Sequence, residues 1–185
     1  MSDENEDISM TTDFKAQGVL IEKGVRVVER SNIDALSQRG YGTAEKGMLT
    51  LTFYEALYLL DKQMLIVSEK RNAQMDFQQL LQAYEAVNNN AWMHYLVYRD
   101  LRSRGYVVRE GFGVSIDFRI YERGAYGKDT AASLVLSTQE GQPLPMKDLA
   151  NALAQTQSLK KDLILAVINR RGEIVYYSVS PLAFR

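Results

Sequence analysis

Residues that commonly catalyse reactions or bind metals are scarce in this chain. Its 185 residues include one histidine and no cysteine. This composition argues against a thiolate zinc site, a disulfide framework or a histidine-rich metal centre, so we expect no metal and no cofactor. The sequence also lacks a dinucleotide-binding glycine motif, a phosphate loop, a zinc-protease helix motif and a nucleophile elbow. Cofactor-dependent enzymes are therefore poor hypotheses.

Clustered basic side chains point to local binding of RNA. The formal net charge is −1, whereas a protein that relies on phosphate contacts alone usually carries a clear basic excess. The basic residues are nevertheless grouped, and the groups are Arg99 with Arg102, Arg104 and Arg109, Lys160 with Lys161, and Arg170 with Arg171. We take Arg99, Arg102, Arg109 and Lys160 as candidate RNA contacts. The alternative is that these groups are solvated faces of amphipathic elements.

The first half of the chain predicts small strands followed by helices. An acidic tail, residues 1–13, carries too little apolar surface to fold and is expected to be disordered. Two strands around Gly24 and a helix capped by Ser31 follow. Thr52 and Glu55 have the spacing of a capping box, and Asp76 is placed to cap the next helix. Three asparagines at 88–90 then break the chain.

The second half predicts a helix, a hairpin and a strand–helix–strand crossover. Apolar residues at helical spacing begin at Trp92, and Gly105 ends that helix. Strands are expected at 106–108 and from Val114, with Gly111 and Gly113 in the turn between them. Further strands at 131–137, 163–168 and 174–179 and a helix at 145–156 complete the pattern.

This order of elements predicts two domains. Residues 14–88 read as an N-terminal α+β domain and residues 89–185 as an α/β domain with a mixed sheet flanked by helices. The sheet is predicted to be mixed because hairpin neighbours occur beside one crossover.

The combination of residues in the second half resembles the archaeal tRNA-splicing endonuclease family. The matching residues are Tyr98, Leu101, Arg102, Gly105, Tyr106, Val108, Gly111, Asp117, Phe118, Tyr121, the run 160–163 and the run 172–177. They keep the order and approximate spacing of that family, and the likeness extends over most of residues 43–179. The resemblance implies a protein that acts on pre-tRNA.

Enzymes of this family cut both intron boundaries without a metal, by attack of a ribose 2′-hydroxyl on the adjacent phosphate. The resemblance implies a tyrosine as general base, a histidine as general acid and a lysine that stabilises the phosphorane. Tyr121 matches the base. Lys161 best matches the lysine, with Lys160 one residue away as the alternative.

The histidine of the family is missing here. Its position falls at Thr130 or Ala131, and neither side chain donates a proton at neutral pH as imidazole does. The single histidine, His94, lies in the preceding helix and is interpreted as structural. The arginines with which catalytic units grip a flipped base are also absent, because the corresponding runs 154–158 and 178–180 contain none.

The joint absence of the family's histidine and of the arginines that grip a flipped base predicts a non-catalytic structural subunit. Family members form assemblies of four units, so we expect a hetero- or homo-oligomer containing a catalytic endonuclease subunit, bound to pre-tRNA. Val175 and Tyr177 are candidate interface residues, because an exposed apolar edge strand pairs readily with another chain. Arg170 and Glu173 are candidates because the resemblance implies docking through acidic residues in the loop before that strand. Either Glu173 alone docks, or the assembly uses a different contact, or the role of this subunit differs. Tyr121 and Lys161 would then be vestigial.

Two other functions stay open at this point. The chain could be an active nuclease in which Asp129, Tyr126 or water replaces the histidine, since one general acid contributes about 100- to 10,000-fold. It could also be a small RNA-binding scaffold that uses the arginines at 99–109. No apolar run approaches the roughly 20 residues of a membrane span, and the acidic N-terminus differs from a targeting signal, so a cytoplasmic protein is expected.

Overall fold

The chain folds around two β-sheets, one in each half. The computed structural model describes residues 14–69, 73–113, 115–122 and 124–181. The acidic tail and the tail after Pro181 lie outside the described residues, as does Val114. Within the described part of the chain, none of the helices has the length and apolar character needed to cross a membrane.

The N-terminal half holds a mixed sheet covered by helices. Its strands are β1 (Ala16–Ile21), β2 (Gly24–Val27), β3 (Thr43–Glu45), β4 (Met48–Leu51), β5 (Leu65–Ser68) and β6 (Gln74–Met75), and its helices are α1 (Arg30–Gln38), α2 (Phe53–Asp61) and α3 (Phe77–Glu85). The strand order is β3-β4-β2-β1-β5-β6, and β1 and β5 are parallel. The sequence reasoning did not predict β3 to β6.

Two helix caps form as their spacing predicts. Thr52 Oγ1 accepts from the amide of Glu55 while Glu55 Oε2 accepts from the amide of Thr52, and Asp76 and Gln79 repeat this capping box at the start of α3. The prediction that Ser31 caps α1 is wrong. The helix begins two residues earlier than predicted, with Glu29 at its N-cap position, so Ser31 lies inside the helix and donates its hydroxyl hydrogen to Glu29.

The C-terminal half is the expected mixed sheet flanked by helices. It contains α4 (Ala91–Ser103), β7 (Val107–Phe112), β8 (Ile116–Tyr121), β9 (Ser133–Gln139), α5 (Met146–Ser158), β10 (Asp162–Ile168) and β11 (Ile174–Val179). The strand order is β11-β10-β9-β8-β7, and β9 pairs parallel to β10 through the predicted crossover. Gly111 is part of β7 rather than of the turn, and glycine is required there because an added Cβ would meet the carbonyl of Ile116. Gly113, with φ of 67°, forms the turn.

The main hydrophobic core is continuous between the halves. Helix α2 packs against α4, and the rings of Tyr54 and Tyr98 lie 4.8 Å apart at that contact. A second, smaller core lies under α5 and includes Leu134 and Leu163. The division at residues 88 and 89 stays a prediction, since α3 and α4 flank it but share this core.

Candidate functional site

The residues that matched the catalytic positions lie at the same end of two inner strands of the C-terminal sheet. Tyr121 is the last residue of β8, and the amide of Ala132 donates to the carbonyl of Ile120 beside it. Parallel pairing of Asp162 with Ser133 places Lys161 next to Ala132. Tyr121 therefore ends β8, and Lys161 directly precedes β10. Because β9 lies between these two strands, the two residues are separated by two strand spacings, about 10 Å.

Strand alternation also puts the two side chains on the same face. Arg119, Leu134 and Leu163 form one row across β8, β9 and β10, and both leucines belong to the core under α5. Tyr121 and Lys161 each lie two residues from a member of this row, so they share its face. Both side chains are half-buried at the rim of the sheet.

Lys161 is positioned by the end of α5. Lys160 adopts a left-handed backbone with φ of 53°, its amide donates to the carbonyl of Gln157, and the amide of Lys161 donates to that of Thr156. These are the two hydrogen bonds of a Schellman motif, with a lysine where glycine is usual. The motif ends the helix and turns Lys161 directly into β10.

Thr130 occupies the place next to this lysine. The Nζ atom of Lys161 donates to Thr130 Oγ1 over 2.5 Å. The hydroxyl lies on an exposed loop, so the contact is open to solvent. The structure thus brings the side chains of Lys161 and Thr130 together at this end of the sheet. The group beside the lysine amine is the threonine hydroxyl, not an imidazole.

The loop that carries Thr130 is folded back on itself. The amides of Lys128 and Asp129 both donate to the carbonyl of Ala125, over 3.0 and 2.9 Å. Within this loop the ring of Tyr126 packs edge-on against that of Tyr121, with centroids 5.2 Å apart. Tyr126 is therefore a hydroxyl-bearing side chain beside the candidate base.

Tyr126 also contacts a buried ion pair that joins the two halves. The guanidinium of Arg109, on β7, lies 5.8 Å from the centre of the Tyr126 ring and donates to Glu55 Oε1 over 3.2 Å. It donates as well to the carbonyl of Gly40 and to Thr43 Oγ1. The side chains of Glu55 and Arg109 are only 3% and 13% exposed.

Burial dominates the acidity of this carboxyl. Loss of solvent raises the pKa of Glu55, and Arg109 together with the amides of Thr52 and Gly42 opposes that rise. Arg109 therefore favours the ionised form of Glu55 against the effect of burial. The sequence reasoning recognised Glu55 as a helix cap but missed this partner, since nothing in the local spacing connects residues 54 positions apart.

The candidate RNA-binding residues divide into two groups. Arg109 is held by the contacts above, and Arg102 stacks 4.0 Å from the centre of the Tyr41 ring while donating to the carbonyls of Arg39 and Tyr106. Both guanidinium groups are thus engaged within the chain. Arg99 and Lys160 are exposed.

His94 lies away from the strand ends that carry Tyr121 and Lys161. Its Nε2 atom is 3.2 Å from Asp117 Oδ1, and its Nδ1 atom faces the hydroxyl of Tyr84 and the side-chain amide of Asn88. The histidine side chain is 16% exposed. Asp117 precedes Tyr121 by four residues on β8, a separation of about 13 Å along a strand. The role of Asp117 as a bridge between His94 and the amide of Ser137 was not predicted.

The candidate interface residues lie on and before β11. This strand is at the edge of the sheet, and Val175 and Tyr177 are 49% and 52% exposed. Ile174 and Tyr176 on the opposite face pack against the core. In the preceding turn, Arg170 is exposed, and the Glu173 carboxylate accepts from the side-chain amide of Asn169 over 2.6 Å.

Two family models match the halves of this sequence. Residues 16–81 match the N-terminal domain of tRNA intron endonuclease, and residues 91–176 match the domain described as "tRNA intron endonuclease, catalytic C-terminal domain". The chain belongs to the tRNA intron endonuclease family. The resemblance noted in the sequence, and the fold class expected from it, are thereby confirmed.

Similar proteins carry the name tRNA-splicing endonuclease. The chain is 30% identical over 163 residues to that of Methanococcus vannielii, covering 88% of this chain and 92% of the relative. It is 32% identical to that of Pyrococcus furiosus, covering 79% and 84%. The relative from Methanococcoides burtonii is also 32% identical, but the matched region is 83% of this chain and 43% of that longer protein.

Proposed function

We propose that this chain is a structural, non-catalytic subunit of a tRNA-splicing endonuclease that removes introns from pre-tRNA at bulge-helix-bulge sites. The observation that carries the proposal is the hydrogen bond from Lys161 to Thr130. The matched lysine and tyrosine lie at the same end of the sheet. The group beside the lysine is the hydroxyl of Thr130, which cannot serve as an acid at neutral pH. The fold is kept while the proton donor is missing.

The position of His94 supports this proposal. Its ring nitrogens face Asp117, Tyr84 and Asn88, and Asp117 precedes Tyr121 by four positions on β8. A proton donor must come within hydrogen-bond reach of the leaving oxygen. His94 is too far along the strand to reach an oxygen held between Tyr121 and Lys161.

The assembly would form through the edge strand. Val175 and Tyr177 expose apolar surface on a strand whose outer edge has no partner strand among the described residues. Unpaired strand edges bind other strands readily. A catalytic endonuclease subunit pairing here would complete both sheets and supply the acid that this chain lacks.

A cleavage assay without metal tests the proposal. The purified chain alone is expected to leave a bulge-helix-bulge RNA intact, and a mixture with the catalytic subunit is expected to cut it. Cutting by the chain alone would overturn the structural role. Failure of the two proteins to associate would overturn the partnership.

Installing the missing histidine is expected to restore little. In Thr130→His, an imidazole would stand beside Lys161, but the runs 154–158 and 178–180 still offer no arginine to hold a flipped base. We expect single-turnover cleavage by this variant alone to stay at the background of Thr130→Val, which lacks any titratable group. Cleavage well above that control would show that the acid was the one missing part.

One observation favours a second function, slow cleavage by this chain itself. Tyr126 lies against Tyr121, with ring centroids 5.2 Å apart, and its phenol could donate the proton. A phenol is a weaker acid than the imidazolium of a protonated histidine, so the rate would be low. If the chain alone cuts slowly, Tyr126→Phe is expected to abolish that activity. A residual rate unchanged in Tyr126→Phe would exclude this residue as the acid.

A further inference from the structure

An exposed tryptophan begins the outer face of α4. Trp92 is the single tryptophan of the sequence, and it is 43% exposed. Residues 92, 96 and 99 lie on one stripe of the helix, because positions three and four apart share a face. Leu96 in this stripe is buried, whereas Arg99 is exposed about 10 Å further along the helix than Trp92. Trp92 and Arg99 therefore flank a covered position.

Tyr95 supports both of these exposed side chains. Its buried ring lies 5.5 Å from the ring of Trp92 and 5.2 Å from that of Phe77, measured between centroids. The guanidinium of Arg99 lies 5.6 Å from the centre of the same ring. Because Tyr95 is fixed in the core, Trp92 and Arg99 rest on a firm aromatic surface, and the exposed part of the indole is open to a further planar ring.

The turn between β10 and β11 covers Leu96 and adds two arginines beside the helix. An added Cβ on Gly172 would lie 3.9 Å from Leu96 Cδ1, so the backbone of the turn packs on α4. The amide of Gly172 donates to the carbonyl of Asn169, and the amide of Arg171 donates to Asn169 Oδ1. Arg170 and Arg171 are the central residues of this turn, and both are exposed. The Trp92 face is the surface formed by Trp92, Arg99, Arg170 and Arg171.

Two carboxylates beside the Trp92 face already have partners. Asp100 Oδ2 accepts from Arg104 Nε and from the hydroxyl of Tyr176, each over 2.7 Å. Glu173 accepts from the side-chain amide of Asn169. Neither carboxylate is therefore available to hold the arginines of the Trp92 face without giving up a contact.

A third carboxylate, Asp61 at the end of α2, is close to the same surface. Burial is the largest cause of the raised pKa of Tyr95, and the charge of Asp61 raises it further, whereas Arg99 lowers it. Asp61 is followed by Lys62, which is also exposed, so these two charges largely offset each other. The arginines leave the Trp92 face with an excess of positive charge.

We infer that the Trp92 face binds single-stranded RNA, with one base stacked on the indole and the neighbouring phosphates in contact with the three arginines. Proteins that bind single strands combine an aromatic platform with positively charged side chains in this way. The flat guanidinium of arginine pairs with phosphate oxygens in a bidentate manner. An acidic peptide could match the charge but offers no flat base to the tryptophan, so the combination favours RNA.

The Trp92 face is separate from the two surfaces described above. Strand β10 has seven residues and lies between Lys161 and the arginine turn, so these are more than about 20 Å apart. Tyr176 packs against the core, so the exposed Val175 and Tyr177 lie on the opposite face of β11. The inference therefore does not depend on the proposed function, and it assigns Arg170 to RNA rather than to a subunit interface.

Because the sequence has one tryptophan, its fluorescence reports on this face alone. The full chain is titrated with a single-stranded RNA of about ten nucleotides, within the usual site size. We expect quenching of Trp92 at the RNA concentrations at which the anisotropy of a labelled RNA reports binding. Trp92→Leu is expected to weaken binding about tenfold, as loss of one stacked base predicts. Binding seen by anisotropy without a change in Trp92 fluorescence would overturn the inference.

Salt dependence tests the arginines. The double variant Arg170→Gln, Arg171→Gln should make the slope of log affinity against log salt shallower by about 1.4, at about 0.7 for each phosphate contact of a single strand. The matched control, Lys23→Gln with Arg26→Gln, removes the same charge from exposed positions in the N-terminal half and should keep the parent slope. Equal changes in both double variants would overturn the inference, because net charge alone would then explain the binding.

Two further measurements separate RNA from other partners. Inorganic polyphosphate has charge but no bases, so it should displace the RNA only weakly, and displacement at equal phosphate concentration would overturn the stacking. Trp92→Leu and the double arginine variant are expected to assemble with the catalytic subunit like the parent chain. Loss of assembly would assign the face to a protein partner instead. If Trp92→Leu unfolds below the parent temperature, Arg99→Gln replaces it and should make the salt slope shallower by about 0.7.

Discussion

Replacing Arg109 with leucine is expected to lower the free energy of unfolding by about 3 kcal/mol at neutral pH, which is the lower end of the cost of breaking a buried ion pair. The variant leaves the carboxylate of Glu55, 3% exposed, without its cation. It also removes hydrogen bonds to Gly40 and Thr43 that tie β7 to the N-terminal half. Urea denaturation followed by far-UV circular dichroism measures the change.

The effect of this substitution should depend on pH. Burial raises the native pKa of Glu55 above its unfolded value, so the contribution of this group to stability is greatest below the unfolded pKa and declines as pH rises through the native pKa. Without Arg109 the native pKa rises further. The hydrogen bonds to Gly40 and Thr43 are lost at every pH, so the loss of stability relative to the parent chain should be smaller near about pH 4 than near about pH 8.

The matched control for this prediction is an exposed arginine on another strand. Arg26 on β2 is exposed, and Arg26→Leu is expected to change the free energy of unfolding by less than about 0.5 kcal/mol. If Arg109→Leu cost no more than this control, or cost the same at both pH values, the buried pair would not hold the halves together as described.

Placing lysines on the edge strand is expected to abolish assembly. The double variant Val175→Lys, Tyr177→Lys puts two charges on the exposed face of β11, where we propose that a catalytic subunit pairs. Burying two unpaired charges should weaken association by at least about 100-fold. Analytical ultracentrifugation of the mixture measures this loss, and the cleavage activity should disappear with it.

Lysines placed elsewhere control for added charge. Gln17 and Gln38 are exposed in the N-terminal half, so Gln17→Lys with Gln38→Lys adds the same charge away from β11. This control is expected to assemble normally, and both double variants should unfold at the parent temperature. Normal assembly of the β11 variant would place the interface on a different surface.

The sequence predicted the elements whose signals are local. The capping boxes at Thr52 and Asp76 depend on residues three apart, and the crossover from β9 to β10 follows from an apolar strand, an amphipathic helix and a second apolar strand. Strands β4 and β5 have four residues each, too few for alternation to stand out, whereas the equally short β2 was predicted from the glycine turn beside it.

The candidate site could be predicted only in part, because several of its contacts join residues that are far apart in the sequence. Tyr121 and Lys161 were matched to catalytic positions by the resemblance, and only the strand register places them at the same end of the sheet. The inward contacts of Arg102 and Arg109 could not be predicted, because the partners Arg39, Gly40 and Glu55 are far away in the sequence. A cluster of arginines looks the same in sequence whether it faces solvent or a buried carboxylate.

The most direct test of a non-catalytic role changes the matched residues in this chain alone. The double variant Tyr121→Phe, Lys161→Ala would be mixed with the unaltered catalytic subunit and a bulge-helix-bulge RNA, and the single-turnover cleavage rate compared with that of the parent mixture. Because Lys161 is hydrogen-bonded to the hydroxyl of Thr130, where the family resemblance places the histidine, we expect the rates to agree within about twofold. A loss of about 100-fold or more, with assembly intact, would show that this chain contributes catalytic groups and would contradict the structural role.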